Sequence, residues 1–472
     1  MTTKAPLVMP MHPVSSGEAE HPVVENKAQL VEYLAAGCKT PESFRLGAEQ
    51  EMFVFSGDDY HPADYDGAEP GIKALLERLI EFGWDPVFED DRPIALRRGG
   101  SSITLEPGGQ IELSGAPLEN AHQVWEETQS YHRELATLTD ELGLSFLAIG
   151  HQPKHSQQQI PWMPKQRYEI MRAWMPQRGS LGLDMMQRTS SMQVNVDFSS
   201  ESDMVGKFRV ALALQPVATA LFANSPYDLG GVNGYKSYRS KIWEDTDPDR
   251  CGSLPFVFES DMGFERYTDY ALDVPMYFVH RGDRYFDATG LSFRDFLDGR
   301  LSILPGERPL LTDWVDHLST LFPQVRLKQY LEMRGADAGD ATSRVPALTA
   351  LWAGILYDRQ SLGAAWQRVG DWTLDERRSL ESGVAQHGFS TPFRNGTVQE
   401  LALWMLDLAR QGLERRDVQS HGGVDESRYL LPLQQAAETG QTFAEELVQK
   451  HSESGRDDID TALAAMCQET FS

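Results

Sequence analysis

Glu49 and Glu51 stand one residue apart in the stretch Arg45-Leu-Gly-Ala-Glu-Gln-Glu-Met-Phe-Val-Phe55. Its β-branched and aromatic tail, without helical periodicity, predicts a strand on which alternate residues share a face. Both carboxylates then point one way, followed by Phe53 and Phe55, with Gln50 and Met52 behind. Like charges so placed repel. Either the face is wet, where repulsion is cheap, or a hard divalent cation such as Mg2+ sits between them. A lone Glu-x-Glu favours the wet face, but the construction recurs. In Thr104–Ser114, Gln110, Glu112 and Ser114 share a face and Glu106 precedes a Pro-Gly-Gly break. Met192–Phe198 sets Gln193, Asn195 and Asp197 against Met192, Val194, Val196 and Phe198. Tyr330–Arg334 sets Glu332 and Arg334 against Leu331 and Met333. Solvated sheet faces mix Lys, Thr, Ser and Arg; these carry carboxylates and carboxamides with one Arg. As neighbours in one sheet, the strands present a metal and phosphate surface.

The oxygen donors Glu49, Glu51, Glu106 and Glu112, as metal ligands, combine with arginines in or near loops: Arg172, Arg188, Arg239 and Arg334. ATP-driven activation of an acid needs this combination, since metals neutralise phosphate oxygens and arginine stabilises the transferring phosphoryl group. Arg334 and Glu332 are then the catalytic pair, and Gln193, Asn195 and Arg334 face ATP. Gln110, Arg172, Arg188, Arg239, Tyr235 and Trp243 face the other substrates. For each arginine alone a surface ion pair explains as much; Arg334 stands out because it shares a strand face with Glu332. Tyr235, Tyr238 and Trp243 form either a substrate wall or core packing, and Arg97 and Arg98 either cover phosphates or form an exposed turn. No P-loop, Gly-x-Gly-x-x-Gly, His-Glu-x-x-His or Gly-x-Ser-x-Gly occurs. A non-catalytic nucleotide or amino-acid binder and a phosphagen-type kinase are the readings from other classes.

These residues need a scaffold. Helices are expected at Asn26–Ala36, Gly71–Phe82, Asn120–Leu142 (buried stripe Val124, Trp125, Leu135, Leu138 and Leu142), Arg167–Trp174 and Ser202–Asn224, the last kinked at Pro216. Met175–Asp184 reads as loop. Leu144–Ile149, Leu254–Phe258, Met276–His280 and Arg284–Asp287 read as short strands, and from about Val345 only helices follow. The fold class is α+β: a curved, largely antiparallel sheet covered by helices, with a disordered extension over 1–25, a catalytic region over 26–340 and a helical region over 341–472. A net charge of −27 argues against nucleic acid or an anionic membrane as partner. Three dispersed cysteines, with no targeting signal at the N-terminus, lead to the expectation of a reducing, cytoplasmic location for a monomer or homodimer.

The segments Leu105–Pro117, Arg167–Arg172, Gly179–Met186, Gln193–Asn195, Ala218–Pro226 and Tyr330–Asp337 resemble the plant and proteobacterial class of glutamate–cysteine ligase, over residues 28–450 or so. The resemblance implies a glutamine-synthetase-like sheet, ATP and Mg2+. It also implies glutamate and cysteine as substrates, and formation of γ-glutamylcysteine in the first step of glutathione synthesis. The carboxylates above would hold metals, and Arg239 and its neighbours would receive glutamate. Two departures stand out. The family's Glu-His-Glu-Lys is here Glu49-Gln-Glu-Met52, which leaves open a γ-glutamyl ligase acting on another amine. Ser190 occupies the position of a cysteine that forms a regulatory disulfide in plant members.

Overall fold

A computed structural model describes residues 22–340, 342–453 and 458–471. Its centre is a ten-stranded sheet. In chain order the strands are β1 (Leu46–Ser56), β2 (His61–Pro62), β3 (Asp85–Glu89), β4 (Arg92–Arg98), β5 (Ser101–Leu105), β6 (Ile111–Ser114), β7 (Leu144–Leu147), β8 (Ser191–Val196), β9 (Val325–Leu327) and β10 (Leu331–Asp337). The main path runs β9-β10-β8-β1-β6-β5-β4-β3, antiparallel at every step, while β2 and β7 pair with the far end of β1. The open, largely antiparallel sheet covered by helices is the expected α+β architecture.

The four acidic stretches are therefore neighbours, and their register sets the polar residues in rows. Ser114, Glu49 and Gln193 lie opposite one another, Thr104, Glu112 and Glu51 form the next row, and Asn195, Glu332 and Arg326 form a third. The other face is apolar. Val194, Val196 and Met333 join one core with the helices Glu201–Leu221 and Arg344–Leu356, while Met52 and Leu113 pack with Tyr131 and Leu135 of the helix Ala121–Leu142. Further along β1, on the same side as Glu49 and Glu51, Phe53 and Phe55 meet Leu463 and Met466 of the helix Ile459–Glu469. The core thus runs without interruption across residue 340.

Several local expectations need correction. Leu254–Phe258 is no strand: Pro255–Phe258 forms a 3-10 turn, favoured by proline at its first position. An α-helix starts inside the expected 175–184 loop, at Gly182–Arg188. Residues after 345 include a tight hairpin, Pro392–Phe393 with Gly396–Thr397. Trp125 is 40% exposed and lies off the buried stripe of its helix. Pro216 sits inside the helix Glu201–Leu221, as expected. Of the proposed disordered extension, residues 1–21 lie outside the described residues. Residues 22–25 are held in place: Val24 N–H donates to Pro309 O at 2.7 Å and Leu311 N–H to Pro22 O at 3.0 Å. Among the described residues no helix is long and apolar enough to cross a membrane.

Candidate active site

The polar face of the sheet forms the floor of a cavity lined by Glu49, Glu51, Glu106, Gln110, Glu112, Gln193, Arg239, Trp243 and Arg334 among the residues singled out from sequence. The hairpin joining β5 to β6 places Glu106, and its tip is tight: Gly109 adopts φ +84°, where a side chain is strained. Glu49 accepts from Asn195 Nδ2 at 2.8 Å, while its Oε2 is buried without a hydrogen-bond partner. Glu51 accepts from Ser191 N–H at 2.9 Å and from Ser191 Oγ at 2.7 Å. Glu112 accepts from Thr104 Oγ1 at 2.6 Å. Gln110 is tied down by its Nε2, which donates to Thr189 O at 2.7 Å.

Burial raises all four glutamates above the usual carboxylate range, since the charged form loses its water. Glu49 is pushed to about 8, with Glu332 and Glu112 adding repulsion. Glu106 and Glu112 are pushed to about 7, burial again leading, followed by the neighbouring carboxylates. Glu51 rises less freely, because Ser191, Arg239 and Arg334 favour its charged form. Glu332 behaves in the opposite sense. Burial would raise it, but Arg326, Lys328 and Arg334 together hold it well below the usual range.

Glu332 itself is fully buried beneath the cavity. Arg326 grips it in a fork, with Nε 2.5 Å from Oε2 and Nη2 2.9 Å from Oε1, and Arg334 Nη1 adds a bond of 2.9 Å to Oε2. Arg334 also donates to Gln193 Oε1. Arg239 Nη2 donates to Arg334 O at 2.8 Å, and Arg239 Nε and Trp243 Nε1 are buried without partners. Arg239 and Trp243 ride on the short helix Tyr238–Trp243, capped by Ser237, whose hydroxyl accepts from Ser240 N–H at 3.2 Å. Asp337 at the end of β10 fixes that helix. It accepts from Ser237 Oγ and Ser225 Oγ, each at 2.7 Å, and from Asn224 N–H at 2.9 Å.

Five predicted residues do not line the cavity: Glu332 lies beneath it, Asn195 is bonded to Glu49 at its side, and Arg172, Arg188 and Tyr235 lie elsewhere. Arg172 is exposed, its guanidinium 4.6 Å from the Trp162 ring. Arg188 is buried but paired with Asp184 at 2.8 Å and with Asp228. Tyr235 packs against Tyr238 with ring centroids 5.5 Å apart. Sequence reasoning singled out Arg172 on the helix Gln166–Trp174, whereas Arg167 is the arginine of that helix at the cavity. Arg167 lines the cavity together with Tyr168 and Met171, and the four-residue spacing of Arg167 and Met171 was the available signal. It also missed Lys328, Arg326 and an apolar wall that includes Met171, Met185, Met186, Phe278 and Phe322.

Gln50 and Met52 lie behind the strand. Gln50 Nε2 is 3.1 Å from His132 Nε2, and Met52 is fully buried in the core. Among the described residues no three His, Cys, Asp or Glu side chains converge closely enough to cage a metal by themselves.

The model of Glutamate-cysteine ligase family 2 matches residues 45–468. A chloroplastic glutamate–cysteine ligase of Medicago truncatula is 51% identical over 434 residues, covering 92% of this chain and 84% of that one. The Solanum lycopersicum enzyme of the same name is 52% identical over 423 residues, covering 90% and 79%. A crystal structure of glutamate–cysteine ligase from Francisella tularensis in complex with AMP superposes with a TM-score of 0.56 at 12% identity, over 91% of this chain and 89% of that one, a likeness of fold. The relatives' names carry the word chloroplastic, which overturns the expected cytoplasmic location. With the family model matched over residues 45–468 and about half of the aligned residues shared with these ligases, the chain belongs to glutamate-cysteine ligase family 2.

Proposed function

We propose that the protein uses ATP to join the γ-carboxyl of L-glutamate to the amine of L-cysteine through a γ-glutamyl phosphate. The observation that carries this is one cavity lined by four glutamates, Glu49 and Glu112 buried and Glu51 and Glu106 half-buried, and by the cations Arg239 and Arg334, in a chain about half-identical to glutamate–cysteine ligases. The carboxylates fit Mg2+. They are hard oxygen donors, crowded and dehydrated, and Glu49 Oε2 has no partner. Mg2+ is commonly held by one or two carboxylates plus substrate phosphates, so no complete protein cage is required. Glu49, Glu51, Glu106 and Glu112 would share two or more such ions, one or two carboxylates to each, and the chemistry supplied there would be neutralisation of phosphate charge.

The chain's own residues do the rest. Arg239, with the Trp243 indole N–H beside it, receives a glutamate carboxylate, and both are held by the Asp337 network. Arg334, oriented by Gln193 and Glu332, stabilises the phosphoryl group during transfer. The γ-carboxylate oxygen attacks the terminal phosphorus and ADP leaves; the cysteine nitrogen then attacks the acyl carbon, loses a proton, and phosphate leaves. The apolar wall keeps water from the acyl phosphate. Gln50 and Met52 face away from the cavity, which supports cysteine as the amine despite those departures. The test is ADP release with glutamate against a panel of amines, with mass spectrometry of the product. ADP release only with amines other than cysteine sinks the proposal.

A further inference from the structure

Beside the short helix Tyr238–Trp243 lies a second, much smaller cavity. It measures about 10 Å³, room for one water-sized occupant, and Gln215, Thr219, Ser240, Gln324 and Glu381 line it. Four elements meet there: the helix Glu201–Leu221 with Gln215 and Thr219, the short helix with Ser240, the residue before β9, and the helix Leu374–His387 with Glu381. Acceptors dominate the wall. Gln215 is 2% exposed, and its Oε1 has no hydrogen-bond partner. The Thr219 hydroxyl donates to Gln215 O at 3.1 Å and Gly335 O at 2.9 Å, so only its lone pairs remain for an occupant. Glu381 is half-buried and bonded to the Ser253 side chain, and Arg377 and Arg378 act on it only through space.

A buried oxygen left unpaired is costly. A water would satisfy Gln215, but its own lone pairs need donors, and this wall has few to offer. A cation needs only acceptors. Mg2+ demands octahedral geometry and keeps several waters, for which there is no room. An ion about the size of one water molecule, with a single charge to set against Glu381, meets both limits. We propose that this cavity is a monovalent-cation site taking K+ or its near-isostere NH4+, with Gln215 Oε1 and Glu381 as its principal ligands. Ser240 stands between Arg239 and Trp243 on the short helix, and Gln324 O accepts from Arg334 N–H at 3.1 Å. The bound cation therefore braces the backbone behind three residues of the main cavity without touching a substrate. Its effect on glutamate binding rests on the reading above; its binding does not.

The experiment titrates the full-length protein, at fixed Mg2+ and fixed ionic strength, with the chlorides of K+, NH4+, Li+ and tetramethylammonium. Melting temperature is read without substrates, and glutamate KM with them. K+ and NH4+ should raise the melting temperature saturably, by about 1–3 °C over tetramethylammonium, and lower glutamate KM about three- to tenfold. Li+ is too small and too firmly hydrated to do either. Glu381→Gln and Gln215→Met should abolish the K+ response; Glu381→Gln, close in volume and half-buried, decides the matter if Gln215→Met fails to fold. Equal responses to all four salts, or an undiminished K+ response in Glu381→Gln, overturn the site and leave a water in the cavity. A K+-stabilised protein whose glutamate KM does not move overturns the brace. K+-dependent melting without ATP-dependent ligation in any salt upholds the site and sinks the reading above.

Discussion

Burial first, and then neighbouring acids, push the carboxyl of Glu49 up to about 8 and those of Glu106 and Glu112 up to about 7. The unfolded chain would release these protons near pH 4.5, so between there and pH 7–8 the metal-free folded protein binds more protons than the unfolded one. Its carboxylates therefore contribute stability that is complete below pH 4.5 and is lost as pH rises through 7–8. Magnesium competes with those same protons. Binding of Mg2+ should release protons at pH 7, and apparent Mg2+ affinity should rise several-fold from pH 6 to pH 8. Calorimetry in buffers of different ionisation enthalpy measures both, and a pH-independent affinity with no proton release would contradict the assignment. The strand faces make a second prediction. Glu49→Gln and Glu51→Gln should keep the fold, lose activity by orders of magnitude and need more Mg2+. Gln50→Ala and Met52→Ala should cost about 1–3 kcal/mol of stability, leaving Mg2+ dependence unchanged. Melting curves and Mg2+ titrations of the four variants decide, and a shifted titration for Gln50→Ala alone would mean the faces are reversed.

The short helix Tyr238–Trp243 is too brief to hold its own position, and Asp337 supplies what it lacks. The carboxylate occupies space that only a glycine opposite permits: a Cβ on Gly150 would lie 2.5 Å from Asp337 Cγ. Asp337→Asn keeps volume but turns an amide N–H2 towards a donor, so Arg239 and Trp243 lose their anchor. Glutamate KM should rise about tenfold or more, with ATP KM little changed; steady-state kinetics with each substrate varied reads this, and parallel changes in both would reduce Asp337 to a general stabiliser. The strands carrying Glu49, Glu112, Gln193 and Glu332 were legible from sequence because period-two alternation is strong where one face is polar and the other packed. Arg188 was not. Its partner Asp228 lies forty residues on, and nothing local announces an ion pair made by tertiary folding. Lys328 escaped notice for a related reason: its place at the cavity follows from the pairing of β9 with β10. Pro255–Phe258 looked like a strand because its apolar run is too short for periodicity to separate strand from turn.

Across the whole molecule the three cysteines, Cys38, Cys251 and Cys467, are free. Burial raises each thiol, pushing Cys251 and Cys467 to about 12, so little reactive thiolate exists near neutral pH. Ser190 is fully buried and donates to Glu51 O at 2.9 Å. Activity should be unchanged within about twofold by dithiothreitol or by a mild disulfide oxidant; a several-fold change with a mobility shift on a non-reducing gel would count against this. The continuous core has a consequence for biosynthesis. Strand β10 completes the catalytic sheet at Asp337, yet the helix Arg344–Leu356, buried on every side from Val345 onward, has still to leave the ribosome. Phe53 and Phe55 wait for Leu463 and Met466, which follow much later in the chain. Until then the nascent chain carries apolar surface on both faces of the sheet with no cover, the kind of surface that chaperones hold and that stalled or truncated chains would present to the degradation machinery.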